Sequence, residues 1–207
     1  MAALRRFVDV CVAGLLLALL VGLFAAVTVI VRATSRGPAI FRQQRVGKDG
    51  RLFTLYKFRT MRREADDSSH REYVSRLITE DAPPAGGARG LYKLQDDPRL
   101  TPVGGFLRRT SLDELPQLMN VLRGDMALVG PRPVLPWEAA LFDPRYQARF
   151  SVRPGITGLW QVSGRAQLTM REALDLDIAY VEQQRLGLDL RILLKTVPVV
   201  LFRHATW

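Results

Sequence analysis

Residues 10–31 read VCVAGLLLALLVGLFAAVTVIV, without one charged side chain. At 1.5 Å per residue a helix of that length reaches roughly 30 Å, about one hydrocarbon core, so this stretch is expected to enter a membrane. A cleaved leader would be shorter and would end in small residues, whereas Arg32, Arg36 and Arg42 follow here. Arg5 and Arg6 precede the run and Arg32 and Arg36 follow it, so both ends carry the cations that stay on the cytoplasmic side. A spanning helix leaves one basic cluster on the wrong side; a re-entrant helix, which bends and returns, leaves neither. The run holds no proline, and its glycines are Gly14 and Gly22. Gly22, nearer the middle, is the expected bend. A re-entrant helix and a single-pass anchor both stay open on this evidence.

Outside that run the chain has the size and apolar content for one ordinary domain, with 48% hydrophobic residues among 207. Thirty Lys and Arg against twenty Asp and Glu give a net charge of +10, which calls for an anionic partner: nucleic acid, a phosphorylated small molecule or an acidic membrane surface. Cys11 is the single cysteine, and His70 and His204 the two histidines, too few for a disulfide framework or a His/Cys zinc site. A metal would have to be held by oxygen, which points to Mg²⁺ or a similar hard cation.

The expected organisation is a membrane helix with basic flanks over 1–36, then a domain of mixed α and β structure over 37–207. Ala39-Ile40-Phe41 and 52–56 read as strands of a hairpin around the turn at 47–50. The charged stretch 62–97, with Pro83-Pro84-Ala85-Gly86-Gly87, reads as a long mobile loop. Helical patterns follow at 103–109, 113–122, 171–184 and 188–202. In the last, Leu190, Leu193, Leu194 and Val197 share a face beside Arg191 and Lys195, as in a helix lying on a bilayer or one packed in a core.

Four motifs stand out. In SLDELPQL at 111–118, Ser111 and Glu114 have capping-box spacing, and Pro116 fits only near a helix start. The two acids are equally a candidate catalytic pair. In GDMALVGPRP at 124–133, prolines on both sides of Arg132 restrict the backbone and present a guanidinium suited to phosphate, or simply form a rigid turn. In YKFRTM at 56–61, strand alternation puts Lys57 and Arg59 on one face. RPGITGLWQVSGR at 153–165 is a glycine-punctuated loop, open to close approach by a ligand, with Arg153 and Arg165 at its ends.

These motifs, in this order and followed by LDIAYV at 176–181, resemble end to end the bacterial sugar transferases of the monotopic phosphoglycosyl transferase superfamily, in their small form. The resemblance implies a re-entrant membrane helix and a small α/β catalytic domain on the cytoplasmic face of the inner membrane, with interfacial amphipathic helices. It implies transfer of a sugar phosphate from a UDP-sugar to undecaprenyl or another polyprenyl phosphate, with UMP released. Asp113 would be the nucleophile, Glu114 the Mg²⁺ ligand, and Arg132 the phosphate contact. Arg108, Lys57, Arg59, Arg153, Arg165 and Asp177 would assist substrate binding, and no nucleic acid is expected. The family's bend carries a Ser-Pro pair, which is absent here; Val21 and Gly22 fall near that place. The rival readings are a membrane-tethered module for nucleic acid or anionic lipid, which would need no Asp-Glu pair, and an inactive scaffold.

Overall fold

The computed structural model describes residues 2–62, 67–80, 98–164 and 168–201. The apolar run forms two helices, α1 (Ala2–Leu19) and α2 (Val21–Thr34), that meet at Leu20 with a bend of 63°. No single described helix is long and apolar enough to cross a membrane; the bent pair together is. The break falls two residues before the expected Gly22, which lies in the first turn of α2 with nothing near its Cα. A glycine two residues away weakens the helix locally, while the positions of the two arms are set by what holds their far ends.

Those far ends grip one body. At the start of α1, Arg5 donates to Asp189 at 2.7 Å and to the Tyr180 hydroxyl at 2.7 Å, and Arg6 donates to the carbonyls of Val121 and Leu122. Asp9 accepts from the Leu128 amide, and Ala13 is wholly buried in the main core. Past the end of α2, Arg59 donates to the carbonyls of Ser35 and Arg36, and Val27 and Val31 pack with Phe58 and Leu107. The tip between the arms is apolar and open, with Leu19 69% and Val21 67% exposed.

The hairpin is as expected. β1 (Ile40–Val46) and β2 (Leu52–Phe58) pair antiparallel, Phe41 opposite Lys57, around a tight turn in which Asp49 takes a left-handed conformation. The stretch 62–97 is not all loop: it contains helix α3 (Ser68–Glu80), whose Val74 and Leu77 are buried. Its mouth is stapled, with the Arg62 amide on the Arg99 carbonyl and the Thr101 amide on the Thr60 carbonyl. Residues 63–66 and 81–97 lie outside the described part.

Then come α4 (Gly104–Thr110), α5 (Gln117–Arg123), β3 (Ala127–Val129), α6 (Pro136–Ala140), a long 3-10 segment (Pro144–Ser151), β4 (Gly155–Thr157), α7 (Leu159–Val162), α8 (Met170–Glu182) and α9 (Leu186–Leu201). β3 and β4 pair in parallel. A Thr169/Glu172 capping box starts α8. α9 buries Leu188 and Ile192 yet leaves Leu190, Leu194 and Val197 exposed, so it is apolar on two sides.

Candidate active site

The chain reverses between α4 and α5 in a way the capping-box pattern concealed. Ser111 is left-handed, at φ 57°, a conformation costing on the order of 1 kcal/mol for a residue with a Cβ. One 3-10 turn (Leu112–Glu114) follows, and Pro116 stands directly before α5. The Ser111 side chain makes no capping bond. Instead the amides of Glu114 and Leu115 close onto the carbonyls of Ser111 and Leu112, so they are not the anion donors expected of a helix start. Asp113 sits in this turn, 7% exposed.

Glu114 turns its carboxylate outward to two cations. Its Oε1 lies 3.0 Å from Lys57 Nζ and 3.9 Å from Arg132 Nη1, and all three side chains are partly exposed. Pairs of that kind contribute roughly 0–1 kcal/mol to stability, so the cluster is not needed to hold the fold. Two cations beside two carboxylates form a near-neutral site that a phosphate can enter by taking over the cations.

Each member is carried by a rigid support. Lys57 is on β2, whose Phe53 and Leu55 share the main core with Leu118 and Val121 of α5. The wholly buried Asn120 ties the same two elements, its amide donating to the Thr54 carbonyl at 2.7 Å and its oxygen accepting from the Tyr56 amide. Arg132 follows β3, where the two glycine motifs press backbone to backbone. The Gly130 amide donates to the Thr157 carbonyl, and the Gly155 amide to the Pro131 carbonyl. A Cβ on Gly155 would lie 2.0 Å from the Gly130 nitrogen. The close approach that these glycines permit is therefore to each other, where the sequence reading gave it to a ligand.

Several expected substrate contacts are placed elsewhere. Arg59, one residue past the end of β2, is 6% exposed and clasps Ser35 and Arg36 at the base of the bent helix pair; strand alternation with Lys57 stops where the strand does. Asp177 is 2% exposed and pairs with Arg149 at 2.6 Å beneath the site. Burial pushes its carboxyl above the usual carboxylate range, against the pull of Arg149 and Arg132. Arg153 donates to the Gly124 carbonyl at the surface. Arg108 stands in the last turn of α4, just ahead of Ser111, and Arg165 lies outside the described residues. Motif reading did not find Arg149, Asn120 or Arg45, the last of which donates to the Pro133 carbonyl; each is a lone polar residue whose partner is distant in sequence.

Among the described residues, no group of three or more His, Cys, Asp and Glu side chains is placed to hold a metal. Mg²⁺ asks for less, one or two carboxylates with substrate phosphate and water completing its shell. The Asp113–Glu114 pair, with the Glu114 carboxylate partly open, fits that requirement.

A family model described as bacterial sugar transferase matches residues 1–203. Among curated proteins the chain is 42% identical over 201 residues to the galactosyl transferase CpsE of Streptococcus agalactiae, covering 95% of this chain and 42% of that protein. It is 40% identical over 203 residues to the exopolysaccharide production protein ExoY of Sinorhizobium fredii, covering 98% of this chain and 88% of that one. It is also 40% identical over 205 residues to the UDP-glucose:undecaprenyl-phosphate glucose-1-phosphate transferase of Caulobacter vibrioides, covering 95% and 69%. The chain thus spans less than half of the first of these relatives and most of the second.

Proposed function

The chain belongs to the bacterial sugar transferase family, and from that premise we propose that it moves a sugar 1-phosphate from a UDP-sugar to undecaprenyl phosphate, as the name of the Caulobacter vibrioides relative describes for glucose. The observation that carries this reading is the convergence of Lys57 and Arg132 on Glu114, beside Asp113. Two cations held by separate rigid supports, next to a carboxylate pair, suit a reaction between polyanions.

In the proposed chemistry a carboxylate oxygen of Asp113 attacks the phosphorus that bears the sugar. The bond from that phosphorus to the bridging oxygen of the diphosphate breaks, and UMP leaves with the electron pair. The phosphate oxygen of the polyprenyl carrier then attacks the same phosphorus, the acyl phosphate bond breaks, and Asp113 is regenerated. One transfer is thereby divided into two displacements at a fixed carboxylate. Arg132 and Lys57 hold the diphosphate and oppose the repulsion between an anionic nucleophile and an anionic substrate. Mg²⁺ bound by Glu114 would supply further charge neutralisation. Lys57 is then a neighbour of the metal ligand, orienting the Glu114 carboxylate through its 3.0 Å contact.

We read the bent helix pair as re-entrant, with its tip in the lipid and the remaining domain on the cytoplasmic face. Arg5 and Arg36 support this: both bond to the same folded body, whereas the ends of a spanning helix would lie on opposite sides of the membrane. The exposed apolar tip at Leu19 and Val21 and the outward leucines of α9 point to lipid as well.

The direct experiment incubates purified protein with Mg²⁺, undecaprenyl phosphate and either UDP-glucose or UDP-galactose, and measures UMP. Release dependent on the carrier supports the reading, and loss of that release with EDTA supports the metal. Absence of UMP with every UDP-sugar tried would sink the assignment. For topology, cysteines placed at residues 2 and 36 should both be labelled from the cytoplasmic side; labelling of residue 2 from outside alone would establish a spanning helix.

A further inference from the structure

We propose that Arg149, held by Asp177, is a positioning residue that fixes Arg132 for phosphate capture; this rests on the role given to Arg132 above. The reason begins with Pro131 and Pro133. Neither has an N–H, so the loop that presents Arg132 is held mainly by its carbonyls. Four consecutive carbonyls are held: Pro131 by the Gly155 amide, Arg132 by Arg149, Pro133 by Arg45, and Val134 by the Val46 amide. Backbone partners serve the outer two, and buried or partly buried arginines serve the inner two. At the inner pair no strand among the described residues donates, and a long side chain with several N–H groups takes its place.

Arg149 does this from a closed compartment. Its Nη2 donates both to the Arg132 carbonyl at 2.9 Å and to Asp177 Oδ2 at 2.6 Å. Its guanidinium lies over the rings of Phe142 and Phe150, at 5.2 Å and 5.4 Å. Among the described residues its Nε and Nη1 and the Oδ1 of Asp177 meet no hydrogen-bond partner. As a device for stability alone this is poor, because a buried ion pair with unmet polar atoms is commonly matched or bettered by apolar residues of similar volume. What apolar residues cannot supply is a donor aimed at the Arg132 carbonyl. Asp177 fixes that donor, so the backbone that carries Arg132 is set from beneath.

The test is a double-mutant cycle read in KM for whichever of UDP-glucose and UDP-galactose supports UMP release. Arg149→Met/Asp177→Val removes both charges together and leaves no lone buried ion; thermal melting establishes that it folds. The expected result is a rise in KM of about ten- to a hundred-fold in this variant, and under about twofold when the same change is made in an Arg132→Ala background. Equal rises in the two backgrounds, or a folded variant with the original KM, would overturn the positioning role while leaving the transferase reading intact. An Arg132→Ala protein with unchanged KM would overturn the phosphate-binding role given to Arg132 and, with it, the positioning role of Arg149. Should the double variant melt early, Arg149→Lys, which keeps the charge and shortens the reach, runs through the same cycle with the same criteria.

Discussion

Glu114 and Asp177 are both carboxylates facing cations, and Arg132 adjoins both, yet the two surroundings are opposite. Around Glu114 the side chains are partly exposed, with Lys57 at 3.0 Å and Arg132 at 3.9 Å. Around Asp177 both partners are about 2% exposed and locked at 2.6 Å. In the open cluster water screens the charges, so partners exchange readily and a phosphate can replace one carboxylate as the ligand of a cation. In the closed cluster an exchange would strand a charge in a low-dielectric interior, so the geometry is fixed before substrate arrives. Arg132 joins them, with its carbonyl in the closed cluster and its guanidinium in the open one.

The largest expected effect breaks the open cluster at its nucleophile. Asp113→Asn should lower turnover by at least about a thousand-fold, the scale on which loss of a covalent nucleophile acts, while its melting temperature stays close to the original. Single-turnover UMP release and intact-protein mass measurement of the trapped phosphosugar check it. A variant that keeps substantial turnover would remove Asp113 from that role.

The next effects set the two clusters against each other through truncation of one cation in each. Arg149→Met leaves Asp177 buried without its partner and should destabilise the protein by roughly 3–5 kcal/mol. Lys57→Met removes a partly exposed partner and should cost at most about 1 kcal/mol in stability, with a KM for the UDP-sugar about tenfold higher. Thermal or denaturant unfolding together with kinetics measures both. If the two variants lost stability equally, the distinction between an exchangeable and a locked cluster would fail.

How much of this was legible in the sequence depends on the range of the interaction. The hairpin was readable because alternation and a turn lie within 52–58 and 47–50. The order of the motifs pointed to the family, and the acids and Arg132 were marked by their immediate neighbours. Ser111 misled because S-x-x-E describes a capping box and a left-handed reversal equally well, and only the fold at Thr110 chooses between them. In 62–97 the charge density hid Val74 and Leu77, both buried, of which Leu77 joins α3 to a core with Phe142 and Trp160. Arg149 had no local sign at all. Its importance comes from Asp177, twenty-eight positions away, and from carbonyls whose need for donors appears only once the Pro131–Pro133 loop has been folded against β4. The arginines flanking the apolar run carry a topology signal, yet Arg5 and Arg6 are also bonded into the domain, a double use that charge counting cannot separate.

The smallest expected effect sharpens the contrast through pH. Burial holds the folded Asp177 carboxyl above the usual range, while in the unfolded chain it titrates near about 4. In the window just above pH 4, therefore, the folded protein retains a proton that the unfolded chain has released, and the stability from this group is present below the window and lost as the pH rises through it. Asp177→Asn cannot titrate, so its melting temperature should lack that component. Wild-type protein should lose stability relative to the Asn variant as the pH rises above about 4, with the two curves running parallel once the folded carboxyl has ionised. Curves parallel throughout would mean that the folded and unfolded carboxyls titrate alike, the pull of Arg149 offsetting burial, and a wild-type curve that falls on acidification would mean that pairing outweighs burial.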